Sequence, residues 1–277
     1  MIPTFLAACA ALTHPTARDR RSVLQVAAGG MFAPLVATPA HAASDPRPVL
    51  VLGANGGTGR ECVSYLLARG RPCIATTRSG EFDMAPSPLL TVAKGDVTDA
   101  ASLGNLITSN KLGAVIYTAS ASRRKDAKET SNARAVDRDG VIACSKLCIA
   151  SEVPRLVLVS SGGVSKPKSA VYLFLNIAAG GIMDAKISGE NQMRQLYAAD
   201  GLAQKKVGYT IVRPGGLTRE PAVGVQQIEL NQGDQKSGRI SRADVAAICV
   251  EALDSSAAFD TTFECEPSNG RGALDLT

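Results

Sequence analysis

Histidine is nearly missing from this chain. Its two copies, His14 and His41, both fall in the first 42 of 277 residues. From residue 43 onward there is then no Ser-His-Asp or Cys-His nucleophile and no histidine-ligated metal. Tryptophan is absent, and 5 Tyr and 6 Phe are too few for the stacking platforms that hold single-stranded nucleic acid. Neither sign of charge prevails. The 30 basic and 25 acidic residues give a formal +5, too mild a balance for a binder of phosphate backbones, so no nucleic-acid partner is expected. The seven cysteines, Cys9, Cys62, Cys73, Cys144, Cys148, Cys249 and Cys265, include no C-x-x-C pair. They read as small buried hydrophobes, and no metal is expected. Long apolar runs are lacking too. Residues 173–183 are apolar but fall short of the ~20 needed to span a bilayer, and Gly180-Gly181 interrupts them. What remains is 45% apolar and 20% charged, an ordinary globular composition. Chemistry has to come from Ser, Thr, Tyr, Lys, carboxylates, thiols or a bound cofactor.

Residues 1–42 read as an address and not as part of the fold. Arg20 and Arg21 form a twin arginine, with Arg18 nearby. An uncharged stretch from Ser22 to Thr38 follows, and then Ala40-His41-Ala42, an A-x-A cleavage pattern. This resembles a twin-arginine translocation signal. A second apolar segment, residues 2–12, stands ahead of it, and two signals in series resemble a plastid presequence followed by a thylakoid-transfer signal. The expected location is the plastid, with the thylakoid lumen as end point. Export to a bacterial-type periplasm is the alternative, and an uncleaved amino-terminal helix is the structural reading. The folded unit is expected over residues 43–277, without a transmembrane span.

That unit alternates β-rich runs with helical patterns. Strands are predicted at 49–52, 73–77, 89–93, 114–117, 156–160, 209–212 and 262–265. Most are near-continuous apolar runs, as in strands covered by helices on both faces. Cys62, Val63, Leu66 and Leu67 follow helical spacing up to Gly70, and Val141, Cys144, Leu147 and Cys148 do so before the strand at 156. With right-handed crossovers this predicts one α/β domain, a doubly wound parallel Rossmann sheet, with a small carboxyl-terminal region covering the substrate.

The first strand runs into Gly53-Ala54-Asn55-Gly56-Gly57-Thr58-Gly59-Arg60, where a helix opens. Gly53 permits the tight turn, Gly56 the approach of a pyrophosphate and Gly59 close packing of helix on strand. The helix amino terminus offers free N–H groups to the phosphates. The second strand ends in Thr76-Thr77-Arg78-Ser79. Where NAD enzymes place an acidic residue against the ribose hydroxyls, Arg78 offers a fork for a 2′-phosphate, so NADP(H) is the expected cofactor. Further on stand Gly95-Asp96-Val97-Thr98-Asp99, in which Thr98 or Asp99 also suits a helix cap, Thr118-Ala119-Ser120, and Val159-Ser160-Ser161-Gly162-Gly163-Val164. Then come Ile182-Met183-Asp184-Ala185-Lys186, residues 208–217 with Arg213-Pro214-Gly215-Gly216, and Ile240-Ser241-Arg242-Ala243-Asp244-Val245-Ala246.

Together these motifs resemble the atypical short-chain dehydrogenase/reductase family, in its NmrA-like NAD(P)-binding branch, over about residues 48–265. The resemblance implies cofactor contacts from Gly53, Asn55, Gly56, Gly57, Thr58, Gly59, Arg78, Asp96, Val97, Thr118, Ala119, Ser120, Lys186, Pro214, Gly215 and Gly216. It assigns Ser161 to orienting a substrate carbonyl, although Ser160 and Ser161 also suit a strand-end turn. In the family a Tyr-x-x-x-Lys pair puts both side chains on one helix face, and the lysine lowers the pKa of the proton-donating tyrosine. Here Lys186 is in place and Ile182 occupies the tyrosine position, which carries no transferable proton. Tyr172, the nearest other phenol, reads as packed in the apolar run around it. Ser241 and Asp244 read as a capping box, a structural motif, and residues 218–239 fall where the family covers its substrate.

An NADPH-dependent oxidoreductase acting on a small carbonyl or enone is the first functional expectation. A non-catalytic NADP(H)-binding redox sensor or assembly factor is the second, with its protein partner unknown. An isomerase or epimerase using bound NADP is the third.

Overall fold

The computed structural model describes residues 45–121, 132–199, 206–236 and 238–268, so the expected targeting segment lies outside the described residues. The apolar runs form β1 (Val49–Leu52), β2 (Cys73–Thr77), β3 (Leu90–Lys94), β4 (Ala114–Tyr117), β5 (Arg155–Val159), β6 (Gly208–Pro214) and β10 (Thr261–Pro267). The sheet order is β3-β2-β1-β4-β5-β6-β10-β8, parallel throughout except where β8 (Ile228–Asn231) runs against β10. The first six positions follow the doubly wound dinucleotide-binding order. Val49 pairs with Cys73 on one side and Ala114 on the other.

Period-two alternation divides each central strand between two cores. Val49, Val51, Ala75 and Ile116 face α1 (Gly57–Ala68) and α6 (Arg242–Asp254), where they meet Val63, Leu66, Val245 and Cys249. Leu50, Leu52, Val115 and Tyr117 face the other way. There they pack with Leu103 of α2 (Ala100–Thr108), Cys144 of α3 (Val141–Ala150) and Met193 of α5 (Ile182–Tyr197). A helix α4 (Ala170–Ala178) precedes α5. All six cysteines of the described residues are buried and free, as small core hydrophobes.

The helix caps are specific. Between Thr98 and Asp99, Asp99 caps α2, its carboxylate accepting from the N–H groups of Ala101 and Ser102. Ser169 caps α4 and Ser241 caps α6. Helix α1 ends at Arg69, and Gly70 follows in the left-handed region at φ +66°. A π-helical turn, Arg134–Gly140, leads into α3, an irregularity often found at functional sites.

Three short strands depart from the sequence expectation: β7 (Gly216–Thr218), β8 and β9 (Arg239–Ser241). They lie in or beside the polar stretch 218–239, which carries no period-two pattern, and arise from pairing of β7 with β9 and of β8 with β10. Strand ends also shift. β3 and β5 lie one residue later and one earlier than predicted, and β6 and β10 are longer. The region from β7 to β9 is the small carboxyl-terminal cover. Asp234 pins it, since its carboxylate accepts from Gly163 N at 2.7 Å and Ser165 N at 2.9 Å in the loop after β5.

Candidate functional site

The sheet order reverses between β1 and β4, the crevice where doubly wound folds hold nucleotides. The two strand ends meet there without side chains between them. Gly53, at φ +84°, lies so close to Ala119 that an added Cβ would stand 2.7 Å from its backbone. Gly59 packs on the same turn. A Cβ there would come within 2.3 Å of the Gly53 carbonyl and 2.7 Å of Thr118 Oγ1. Thr118 Oγ1 donates to the Leu52 carbonyl at 2.8 Å and braces the two strand ends. Asn55, Gly56 and Gly57 are exposed and Thr58 is buried. Unlike α2, α4 and α6, helix α1 has no side-chain cap, and like α2 and α4 it has no acidic residue in its first turn. Its opening N–H groups and positive dipole end therefore face outward uncapped, a fit for an anionic pyrophosphate.

The adenosine end continues along β2 and β3. Arg78 is exposed at the end of β2. Beside it the Arg60 guanidinium stacks over Phe82 at 4.9 Å and donates to the Asp83 carbonyl. Asn55 Nδ2 donates to the Glu81 carbonyl at 3.1 Å, fixing the glycine loop to the same segment. Asp96 Oδ1 accepts from both the N–H and the hydroxyl of Thr98 at 2.8 Å, a local turn that sets the Asp96-Val97 backbone.

Past β4 the backbone leads to a cluster that no motif announced. Asp137, on the π turn and fully buried, accepts from Ser120 Oγ at 2.8 Å and Ala121 N at 2.9 Å. Its Oδ1 also lies 2.8 Å from Lys186 Nζ. Lys186 is thus held as a cation at a fixed point beside Ser120. Gly189 makes this possible, because a Cβ there would stand 2.5 Å from the Asp137 carbonyl oxygen. A chain from Ala119 and Ser120 through Asp137 to Lys186 links two regions 66 residues apart, and the signal in the sequence is only an Asp at a helix start.

The two serines after β5 separate in role. Ser160 is buried and donates to Glu190 Oε1 at 2.5 Å. Ser161 is half-buried, with Oγ turned to the Gly162 carbonyl at 3.1 Å. Gly162 N donates to the Pro214 carbonyl at 2.7 Å, joining this loop to the Pro214-Gly215 turn. Gly215 is required by its approach to Gly238, whose carbonyl would stand 2.3 Å from a Cβ and accepts from Gly216 N at 2.7 Å. Beneath lies a buried ionic network. Arg213 donates to Glu190 Oε2 at 2.6 Å and lies 3.4 Å from Glu264 and 3.7 Å from Asp234. Arg194 adds a second contact to Glu190 Oε2 at 2.6 Å. Burial pulls the Arg213 guanidinium down, but Glu190, Asp234 and Glu264 together hold it above its usual value. Burial pushes the Glu264 carboxyl up.

Ile182 is half-buried and packs on the cluster of Val164, Tyr172 and Met183. Tyr172 is buried there as expected, and its hydroxyl donates to Asp184. Burial and that carboxylate push the phenol up to about 12, which removes it as a ready acid. The capping-box expectation for Asp244 does not hold. Its carboxylate accepts from Val223 N at 3.0 Å and Gly224 N at 2.9 Å and so pins the cover instead. The neighbouring Arg242 reaches back over the glycine loop. A Cβ on Gly57 would meet its Cδ and Nε at 2.7 Å, and Nη1 donates to the Thr218 carbonyl at 2.9 Å. Gly57 leaves the space that the Arg242 side chain occupies.

Residues 53–256 match the NAD(P)H-binding family. An uncharacterized chloroplastic protein of Arabidopsis thaliana is 30% identical over 215 residues, covering 75% of this chain and 72% of that protein. Among solved structures, the oxidoreductase ylbE of Lactococcus lactis aligns with a TM-score of 0.64 at 18% identity, over 79% of this chain and 90% of that one. A short-chain dehydrogenase/reductase of Veillonella parvula, solved in complex with NADP, aligns at 0.58 and 18% identity, over 81% and 96%.

Proposed function

The chain belongs to the NAD(P)H-binding family, and on that premise we propose that it is an NADPH-dependent reductase of a small enone or carbonyl compound, of the atypical short-chain dehydrogenase/reductase type. The observation that carries this reading is the fixed Lys186–Asp137 pair at 2.8 Å beside Ser120. An ammonium held by a buried carboxylate beside the glycine-lined nucleotide loop is an electrostatic device suited to a developing negative charge.

Bound NADPH supplies a hydride. Residues 53–59 and the α1 amino terminus would hold the pyrophosphate, Arg78 would select the 2′-phosphate, and Arg242, packed over Gly57, would add a guanidinium to the phosphate site. Ser161 offers its hydroxyl to the substrate oxygen, and Lys186, oriented by Asp137, stabilises negative charge developing there. With Ile182 in place of a phenol and Tyr172 held near 12, no tyrosine among the described residues stands ready as an acid at the oxygen. That favours acceptors whose charge is delocalised, an enone over a simple ketone, with protonation from solvent. NADPH oxidation by a panel of enones, quinones, aldehydes and ketones tests this. Enones should turn over fastest, Lys186→Ala should abolish turnover while NADPH still binds, and Ile182→Tyr should raise activity toward ketones. Tight NADPH binding with no turnover on any acceptor overturns the reductase reading in favour of the non-catalytic sensor, to which Ile182 also conforms.

The chloroplastic relative and the two-part amino-terminal signal support a plastid location, and the twin arginine supports the thylakoid lumen as end point. A twin-arginine route carries folded protein, so NADP(H) would be loaded before crossing. Protein isolated from its compartment should carry bound NADP(H), and Arg20→Lys with Arg21→Lys should strand the precursor outside the lumen. Native protein in the stroma with residues 1–42 attached would refute this location.

A further inference from the structure

Helix α4 has one face that no described residue covers. Its inner side is committed. Tyr172 is buried against Val164 and Met183, and Asn176 donates to Asp184 and accepts from the Met183 and Asp184 N–H groups. Every polar side chain of the helix is therefore engaged toward α5. The outer side carries Val171 at 40% exposure, Leu173 at 49%, Phe174 at 70% and Ile177 at 79%, with Ala170 and Ala178 exposed among them. Positions 170, 171, 174, 177 and 178 share one helical face. Among the described residues these four account for most of the exposed large hydrophobics. Contiguous apolar surface of this kind marks a docking site.

We propose that this face inserts into an anionic lipid surface. The helix contains no charged residue, and Lys166 and Lys168 stand exposed immediately before its amino terminus. A carboxylate in contact with it, Asp184, stays anionic, held below the usual range by hydrogen bonds from Tyr172 and Asn176, and belongs to α5 on the inner side of the helix. An uncharged face of Phe, Ile, Leu and Val edged by lysines is the chemistry of a helix lying in the headgroup boundary. There the aliphatic stems of the lysines follow the apolar surface and their ammonium groups reach lipid phosphates. At nine residues α4 is too short to span a bilayer, and among the described residues no single helix is long and apolar enough to do so. Together α4 and α5 have the length and composition of a broken span, but they are bent by 101° and α5 packs into the core through Met193, so the contact is with one leaflet. The charges next to the apolar face at its amino-terminal end, Lys166 and Lys168, are cationic, which complements lipid phosphates.

The test is co-sedimentation of the full chain with phosphatidylcholine vesicles, with and without phosphatidylglycerol. Wild type should bind the anionic vesicles, and added salt should weaken binding. Phe174→Glu with Ile177→Glu should lower affinity by about tenfold or more. Lys166→Glu with Lys168→Glu should abolish the preference for phosphatidylglycerol. The amino-terminal segment is common to all variants, so the differences read α4. An unchanged melting temperature shows that each variant is folded, and Phe174→Ser with Ile177→Ser replaces the glutamate pair if it is not. Wild type that stays in solution with both vesicles overturns the proposal, as does equal binding by the Phe174/Ile177 variant. A wild-type dimer that these substitutions dissociate, without vesicle binding, assigns the face to a second copy of the chain and equally overturns it.

Discussion

At the carboxyl end of β1 the site is made of backbone. Gly53, Gly56 and Gly59 let strand, turn and helix approach until no Cβ would fit at Gly53 or Gly59, and the groups offered outward are N–H donors. At the ends of β5 and β6 it is made of side chains. Ser160, Glu190, Arg194, Arg213, Asp234 and Glu264 interlock below the surface and position Ser161 and the cover from beneath. The first half tolerates no added atom at Gly53 or Gly59, and the second depends on its buried charges. Backbone recognition suits a ligand part that never varies, the pyrophosphate. A side-chain network suits the end where substrates differ, because its surface residues can change while the buried ion pairs keep the frame.

The largest effect expected from breaking this contrast is at Glu190. Glu190→Ala leaves Arg213 and Arg194 without their shared carboxylate and should cost about 3–5 kcal/mol, read as a lowered melting temperature. In the glycine half, Gly59→Ala should cost about 2 kcal/mol through the clash with the Gly53 carbonyl and should also abolish nucleotide binding by calorimetry. Gly70→Ala, where an added Cβ meets open space at φ +66°, should cost about 1 kcal/mol and leave nucleotide binding intact. If both alanine variants bind NADP equally, the backbone account of the loop fails.

The nucleotide contacts sharpen the comparison further. Arg78→Ala should weaken NADP(H) by about tenfold, about 1.4 kcal/mol, and leave NAD(H) unchanged. Arg242→Ala should weaken both by a smaller and equal factor, since it packs over Gly57 in the loop proposed to hold the phosphates common to both. A wild type that binds NAD and NADP equally removes the role given to Arg78.

The smallest effect is at Asp234. Burial pushes its carboxyl up, but hydrogen bonds from Ser165 and Gly163 and the charge of Arg213 outweigh this and hold it below the usual range. A carboxyl with a depressed folded pKa contributes stability above its unfolded value, and that contribution is lost as pH falls through about 4 toward the folded value. Asp234→Asn should therefore flatten the acid limb of a stability–pH curve by about 1 kcal/mol, with little change in nucleotide binding. A curve identical to wild type below pH 4 would show that Asp234 does not clamp the cover.

Much of the glycine half was legible because its rules are local. A strand, three glycines at fixed spacing and a helix follow one another in the chain, and Arg78 stands where the second strand ends. The strand predictions were good at the sheet centre, where both faces are covered and the residues are continuously apolar. They missed β7, β8 and β9, whose existence depends on partners and not on their own pattern. Asp137 and Arg242 went unseen for the same reason. Each acts on a residue more than forty positions away, Lys186 or Gly57, and neither position carries a local signal.

The chain alone was enough for the doubly wound order, the glycine-rich strand–turn–helix after β1 and the isoleucine at the position of the family tyrosine. Each of these depends on which residue stands at which position or on periodicity along one element. The folded chain decided which serine is sealed and which faces the cleft, which carboxylate orients Lys186, where Asp244 sends its hydrogen bonds and which face of α4 stays bare. These are outcomes of packing between distant segments. Burial changes the energy of a charge or an apolar face by kilocalories, and burial is set by what the rest of the molecule brings against it.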